Sequence, residues 1–250
     1  MLRRMLLVAG RDWREMRSTA AFRITLAMAT LVTAGASAGI SIALRLQSWY
    51  GDADAGPALD LIVGLLAYFL PLFVLTGFIW AFASLPVVKE KANGNIECLL
   101  ATPLGPRALW AGKGLAVFVP GYVIATIGTA VVLLAVNLAA IRPGWDTLAL
   151  PAPALATGLV INPLLFLAVL LFTILYSMAG NPDAAVAPSF IIGFGLMIGV
   201  PVGMATGAID ICSWPFALWS LAAAAAAWAV LLFLSRRLTR QNIVLSGRGG

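Results

Sequence analysis

The chain contains no histidine, two cysteines and few charged residues, and each shortage excludes a class of site. Asp, Glu, Lys and Arg make up only 10% of its 250 residues. Without histidine no Ser-His or Cys-His nucleophile can form, and no cluster of Cys and His exists that would hold zinc. We therefore expect no catalytic residue, no metal site and no cofactor on this chain.

Apolar residues fill most of the sequence. They make up 62% of it and give a mean hydropathy of +0.99, whereas about half of a soluble domain is apolar. This composition predicts an integral membrane protein. The net charge of +6 would fit nucleic acid in a soluble protein, but here the cations lie beside apolar runs. We expect them to contact membrane lipid and expect no nucleic acid as a partner.

Six apolar runs are long enough to cross a bilayer, which takes about 20 residues in a helix. We place them at Phe22–Ala43, Leu59–Leu85, Gly114–Ala140, Leu155–Tyr176, Pro188–Ile209 and Phe216–Leu234. The predicted fold is therefore all-α, with a six-helix membrane domain over residues 21–235.

The distribution of cations predicts the orientation of these spans. If the N-terminus is cytoplasmic, every Lys and Arg except Arg45 and Arg142 falls on the cytoplasmic side. Both termini are then cytoplasmic, and residues 236–250 form a cytoplasmic tail. This pattern indicates a multi-pass protein of a cell membrane, either a plasma membrane or a bacterial inner membrane.

Residues 1–20 have the pattern of an amphipathic helix. Their apolar side chains share one stripe, which contains Leu2, Met5, Leu6, Ala9, Trp13 and Met16. The arginines fall elsewhere, so we expect this helix to lie in the headgroup plane. The alternative is a signal peptide cleaved near Ala34-x-Ala36-x-Ala38, but the charged region is too long and the apolar run continues past that site.

The loop over residues 86–113 is polar and yet patterned. Asn93-Gly94 marks a turn, and Ile96, Leu99 and Leu100 follow the i, i+3, i+4 spacing of a short helix that Pro103 ends. A helix this short is not stable alone in water, so it needs a surface to pack against. The alternative is a solvated loop whose positive charges only fix the orientation of the chain.

The same loop resembles the first cytoplasmic loop of type-2 ABC transporter permeases, which reads roughly E-K-E-x-G-T-L-E-x-L-L-x-T-P with G-K shortly after. Ala92 and Asn95 depart from that pattern, and the matching residues are Glu90, Lys91, Gly94, Ile96, Glu97, Leu99, Leu100, Thr102 and Pro103, followed by Gly112-Lys113. In that family the segment is a coupling helix that docks on a separate ATPase subunit. The segment Asp12 to Ser18 is likewise similar to the family's N-terminal elbow helix.

The resemblance implies an ABC exporter subunit whose partners are a nucleotide-binding ATPase and a second permease subunit, in a homodimer or a heterodimer. The chain has no phosphate-binding loop, since the spacing before Lys113 is wrong and Gly114 follows it. ATP and Mg would therefore belong to the partner, and the chain itself is not an enzyme.

Glycines and aromatic residues provide candidates for a dimer interface and a substrate pathway. Small-residue ridges are expected at Gly35 and Gly39 in the first span and at Gly195, Gly199, Gly203 and Gly207 in the fifth. They either pack within the chain or, as the family implies, flank the interface between two permease halves. Phe69 and Phe73 either line an apolar pathway or simply pack and face lipid.

Two further classes of function stay open. A secondary transporter is disfavoured because the spans have no ionisable residue near their middle. A membrane-embedded scaffold would make the pattern of the loop a coincidence. The sequence does not specify a substrate, and it leaves open whether a re-entrant hairpin lies between the fifth and sixth spans.

Overall fold

The computed structural model describes residues 2–82, 105–179 and 187–236. In these ranges the chain is helical and has no strand. Six of its helices are long and apolar enough to cross a membrane, which confirms the predicted number of spans and the all-helical, multi-pass architecture.

The helices follow one another along the chain with short connections. A short N-terminal helix comes first, and α4 and α5 are each interrupted by a π-helical turn. The bounds are α1 Leu2–Ser18; α2 Ala20–Arg45; α3 Gly56–Phe82; α4 Pro106–Val136 with the π turn Asn137–Ile141 and a last turn Arg142–Trp145; α5 Ala152–Ala156, the π turn Thr157–Ile161 and Asn162–Ala179; α6 Ala187–Ala205; α7 Trp214–Ser235.

Local chemistry explains where several helices begin. The hydroxyl of Thr19 accepts a hydrogen bond from the Phe22 backbone N–H at 3.2 Å, which caps α2. Ser213 caps α7 in the same way. Helix α4 begins at Pro106, directly after Gly105, because a proline in the first turn loses no hydrogen bond.

Several predicted boundaries differ from the structure, and two of these differences concern the loop before α4 and the connection after α6. Helix α4 starts eight residues before the predicted position, so the last part of the predicted loop, residues 106–113, is helical. Helix α6 ends at Ala205 instead of Ile209, and the connection to α7 is a turn over residues 206–213 without a helix. No re-entrant hairpin exists at that connection.

Three helices form the interior of the bundle. About 61% of the most apolar stretch of α3, 44% of that of α4 and 67% of that of α5 is buried, against 6% for α2 and 17% for both α6 and α7. The core between the inner helices contains Tyr68, Leu72, Phe78, Phe166, Leu170 and Ile174. Since lipid tails are as apolar as these side chains, close packing stabilises this core more than apolar burial does.

The two π-helical turns have a common cause. Each ends two residues before a proline, in the sequences Ile141-Arg142-Pro143 and Ile161-Asn162-Pro163. A proline has no N–H, and its ring presses on the carbonyl four residues earlier, which widens the helix there. Other side chains reach both of these carbonyls: Arg45 donates to the Ala139 oxygen through Nε at 2.8 Å, and the Tyr122 hydroxyl donates to the Leu159 oxygen at 3.0 Å.

The two ends of the bundle are built from different elements. At the N-terminal end, α1 packs beside the start of α4 and the start of α2, and Phe22 of α2 contacts Phe82 at the end of α3. At the opposite end lie the turns over residues 46–55, 146–151 and 206–213. Trp145 contacts both Trp49 and Tyr50 there, and its indole N–H donates to the Asp52 carbonyl at 2.6 Å.

Candidate functional site

Most of the predicted coupling residues lie outside the described part of the chain. This holds for Glu90, Lys91, Gly94, Ile96, Glu97, Leu99, Leu100, Thr102 and Pro103. Gly112 and Lys113, which complete the same pattern, are described, and both are buried in the second turn of α4. The candidate site therefore consists of the residues around Gly112 and Lys113, at the C-terminal end of the predicted loop.

Helices α1 and α4 approach each other closely at Gly112. A Cβ atom at this position would lie 2.8 Å from the Val8 Cβ and 2.9 Å from the Met5 carbonyl oxygen. Real Cβ atoms do not approach other atoms this closely, so any larger residue would push α1 away from α4. Glycine is required here by the close approach of two helices, as in other small-residue helix contacts.

Lys113 forms an ion pair with α1 at the next position. Its Nζ lies 3.2 Å from Oδ2 of Asp12, and the two side chains are only 6% and 19% exposed. A pair this buried is costly to break from one side, because a charge that has already lost its hydration then loses an opposite charge as well. Asp12 is thereby turned towards α4, away from the arginines of its own helix.

Aromatic side chains extend this contact into the bundle. The Trp13 ring meets the Phe22 ring edge-on at 5.3 Å, and Phe22 in turn contacts Phe78 in the core. The Trp110 indole N–H donates to the Leu171 carbonyl at 2.7 Å, which links the start of α4 to α5. We call the contact formed by Met5, Val8, Asp12, Gly112 and Lys113 the α1–α4 junction. It is continuous with the core.

The two phenylalanines proposed for a pathway lie on one groove. It has a volume of about 470 Å³, lies between α2 and α3, and is lined only by apolar side chains. Phe69 is half-buried and packs edge-on against Tyr68, whereas Phe73 is exposed. The lining residues are Val32, Ile40, Ile62, Leu65, Leu66, Phe69, Leu70 and Phe73.

The glycines of the two predicted ridges do not all have the same surroundings in the described chain. A Cβ at Gly35, Gly39, Gly195 or Gly199 would meet no atom within 4 Å. Gly203 is covered by the Ile209 side chain, and Gly207 lies beyond the end of α6 with a φ of +74°. The ridge in the fifth span is therefore shorter than the sequence predicts, because the helix ends before Gly207.

Other small residues pack these helices onto the bundle. The inward face of α2 is a row spaced by four residues, in which Thr33 lies against Gly128 of α4. The row consists of Thr25, Ala29, Thr33, Ser37 and Ser41. In α6 the packed glycine is Gly193, which lies against Thr76 of α3. Residues with hydroxyl groups therefore mark helix contacts in this chain as glycines do. The sequence analysis considered only the glycines.

Among the described glycines, Gly158 makes the closest contact with another span. Pro71 leaves the carbonyl of Ala67 without its usual helical partner, and the Gly158 backbone lies directly against that carbonyl. A Cβ at Gly158 would overlap the Ala67 oxygen. The π turn that carries Gly158 thus fits into the gap that the proline opens in α3.

Cys212 lies at the opposite end of the bundle, in the turn between α6 and α7. Its Sγ is 3.4 Å from the Asp60 carbonyl oxygen. Partial burial raises the pKa of this thiol, and the negative charges of Asp210 and Asp60 raise that pKa further. Among residues 2–82, 105–179 and 187–236, no group of three His, Cys, Asp or Glu residues stands close enough to hold a metal ion.

In comparisons with known proteins, no family model, no curated protein and no solved structure matches this chain.

Proposed function

We propose that the chain is the permease subunit of an ATP-binding-cassette exporter. In this proposal both termini are cytoplasmic, α1 lies in the headgroup plane, and a separate ATPase subunit binds the loop over residues 86–113. ATP and Mg belong to that subunit. The proposal starts from the loop pattern. The six helices long and apolar enough to span a membrane would be the part of the chain that the ATPase moves.

The observation that carries the proposal is the α1–α4 junction. The two residues that end the loop pattern, Gly112 and Lys113, are the same two that hold α1 against α4. A displacement of the loop would therefore act on α4 and α1 together. The Trp110 hydrogen bond would pass it on to α5, in the buried interior of the bundle. An orientation loop alone needs no such connection.

The groove between α2 and α3 supports an apolar cargo. Its lining offers no hydrogen-bond donor, acceptor or charge, so a charged molecule would lose its hydration there without replacement. The glycines Gly35, Gly39, Gly195 and Gly199 leave flat strips on α2 and α6, where the helices of a second permease subunit can approach closely.

The test is recovery of an ATPase with the tagged chain. The parent and two variants are purified from the native membrane, and the bound chains are searched for one with a phosphate-binding loop. Leu99→Asp places a charge in the predicted docking face, which should lower the affinity by about two orders of magnitude or more. The matched control is Leu46→Asp, since Leu46 lies in the turn at the opposite end and is 80% exposed.

Recovery with the parent and with Leu46→Asp, but not with Leu99→Asp, supports the proposal. Equal recovery with all three chains would show that the loop is not the docking element. If no ATPase accompanies the parent, the scaffold and the secondary transporter become the better interpretations.

A second permease subunit is tested through the open glycines. Gly195→Leu/Gly199→Leu adds bulk where the described chain leaves space, so it should break a dimer in detergent without unfolding the protomer. Gly203→Leu is unsuitable for this purpose because the Ile209 side chain already covers Gly203. An unchanged oligomer in the double variant would exclude this surface as the interface.

A further inference from the structure

The outward face of α1 combines arginines with exposed leucines. The inward face, centred on Val8 and Met16, packs on the bundle. On the opposite side Leu6 is 58% exposed and Leu7 is 66% exposed. Arg3, Arg11, Arg14 and Arg17 are also exposed on this helix. The spacing Arg3, Leu7, Arg14 places these three side chains on one line along the helix.

The charge of this face is not neutralised by its own helix. Asp12 is turned inward to Lys113. Glu15 is then the one acidic side chain of α1 left to offset its arginines. The ion pair of the α1–α4 junction thus has a second effect, since it removes a carboxylate from the neighbourhood of the arginines. The outward face keeps a positive charge in a part of the chain that packs against the start of a membrane span.

The position of α1 brings this face to the level of the lipid headgroups. Met5, Val8 and Asp12 meet Gly112 and Lys113 in the second turn of α4, and the Trp13 ring meets Phe22 in the first turn of α2. Contact with the first turns of two membrane-spanning helices places α1 close to the membrane surface in the proposed arrangement. Two exposed leucines can then enter the acyl boundary while the arginines stay at the phosphates.

We propose that the outward face of α1 binds the headgroups of anionic phospholipids, with Arg3 and Arg14 at the phosphates and Leu6 and Leu7 between the acyl chains. Bilayer lipid fits this face better than a soluble anion does, because the leucines gain nothing from a soluble anion. The inference rests on the placement of α1 at the membrane surface, which is part of the proposed function, and not on the binding of an ATPase.

The test measures how lipids stabilise the purified full-length chain in a neutral detergent. Thermal unfolding is followed during titration with dioleoylphosphatidylglycerol, with dioleoylphosphatidylcholine and with inorganic phosphate. Arg3→Gln/Arg14→Gln is compared with Arg142→Gln/Arg236→Gln, which loses the same charge from exposed positions off α1. A Leu6→Gln/Leu7→Gln variant examines the apolar part of the face.

Phosphatidylglycerol should raise the unfolding midpoint of the parent more than phosphatidylcholine does, and 0.5 M salt should reduce the difference. Removing Arg3 and Arg14 should raise the half-saturating concentration of phosphatidylglycerol about 30-fold, while the control pair changes it by less than about 3-fold. Equal stabilisation by both lipids, or an equal loss in both arginine pairs, would overturn the proposal.

Stabilisation of the parent by inorganic phosphate as strong as that by phosphatidylglycerol would also overturn it, since the face would then be a site for soluble anions. If no ATPase is recovered with the parent chain, the exporter proposal is contradicted, but the expected results of these lipid titrations do not change. The two proposals therefore fail separately.

Discussion

The N-terminal end of the bundle is held by charge and close helix contact, whereas the opposite end is held by hydrogen bonds to backbone carbonyls. At the first end a buried ion pair, Asp12 with Lys113, fastens α1 to α4. At the second, Arg45 and Tyr50 donate to the carbonyls of Ala139 and Ala140 near the end of α4. The same helix is thus fixed at both ends by different chemistry.

This difference matters for how each end responds to change. A hydrogen bond to a backbone carbonyl contributes only about 1 kcal/mol net, so the loss of one donor has a limited cost. A buried ion pair depends on both partners, and removing one leaves a desolvated charge. We therefore expect the N-terminal end, next to the proposed docking loop, to be the more sensitive of the two to changes of charge.

The largest effect is expected from Gly158→Ala. The added methyl group would overlap the Ala67 carbonyl in a contact between backbones that cannot shift cheaply, with an expected cost of about 3 kcal/mol or more. Gly112→Ala at the N-terminal end should cost less, because α1 can move away from α4 as a unit. Unfolding in mixed detergent measures both, with Gly35→Ala, which meets no atom, as the control. Equal stability of all three variants would contradict the described packing.

The ion pair is tested by removing one charge and then both. Asp12→Asn removes the carboxylate charge that faces the buried Lys113 ammonium and should destabilise the fold by about 3 kcal/mol. Asp12→Leu/Lys113→Met should recover most of that loss, since it removes both charges. The measurement is the same detergent unfolding curve. If the double variant is no more stable than Asp12→Asn, the two side chains do not interact as described.

A smaller effect is expected at the opposite end from Tyr50→Phe. The variant loses the hydrogen bond from the hydroxyl to the Ala140 carbonyl, 2.9 Å long and partly buried, at a cost of about 1 kcal/mol. The ring contact with Trp145 remains. Tyr176→Phe is the control, because the described contact of Tyr176 is the stacking of its ring on Phe172. A loss above that of Asp12→Asn would reverse the comparison between the two ends.

The sequence predicts much of this architecture and little of its contacts. Apolar runs and cation placement are local properties, so the six spans follow directly from them. The Asp12–Lys113 pair joins residues far apart in the chain, and no local pattern marks it. The open glycines show the same limit: spacing reveals that Gly35 and Gly39 share a face, but only the packed structure shows that the Thr33 side of α2 turns inward.

Some of the missed features do have a signal in the sequence. The Ile-x-Pro sequences at Pro143 and Pro163 mark the carbonyls that Arg45 and Tyr122 reach. A search for prolines inside the predicted spans or within a turn of their ends, followed by the carbonyl four residues earlier, would have located both. The donor to each carbonyl remains unpredictable, because it comes from another helix.

The smallest effect concerns the two cysteines, which the predicted topology places on opposite sides of the membrane. Cys98 should react with a membrane-impermeant thiol reagent only after the membrane is opened, whereas Cys212 should react from outside. Because burial and the nearby carboxylates raise the Cys212 pKa, its labelling should need a higher pH than that of a free thiol, and Asp210→Asn should lower that pH. Single-cysteine variants measured in intact cells check both points. Labelling of Cys98 in intact cells would show that the orientation is the reverse of the predicted one.

The most direct test of the exporter proposal is a photo-crosslink from each end of the bundle. A benzoylphenylalanine replaces Leu99 in one chain and the exposed Leu46 in another, and each is irradiated in native membranes. We expect position 99 to form a covalent adduct with a chain that contains a phosphate-binding loop, and position 46 to form none. An ATPase adduct at position 46, or none at position 99 while position 46 reacts with other chains, would contradict the proposal.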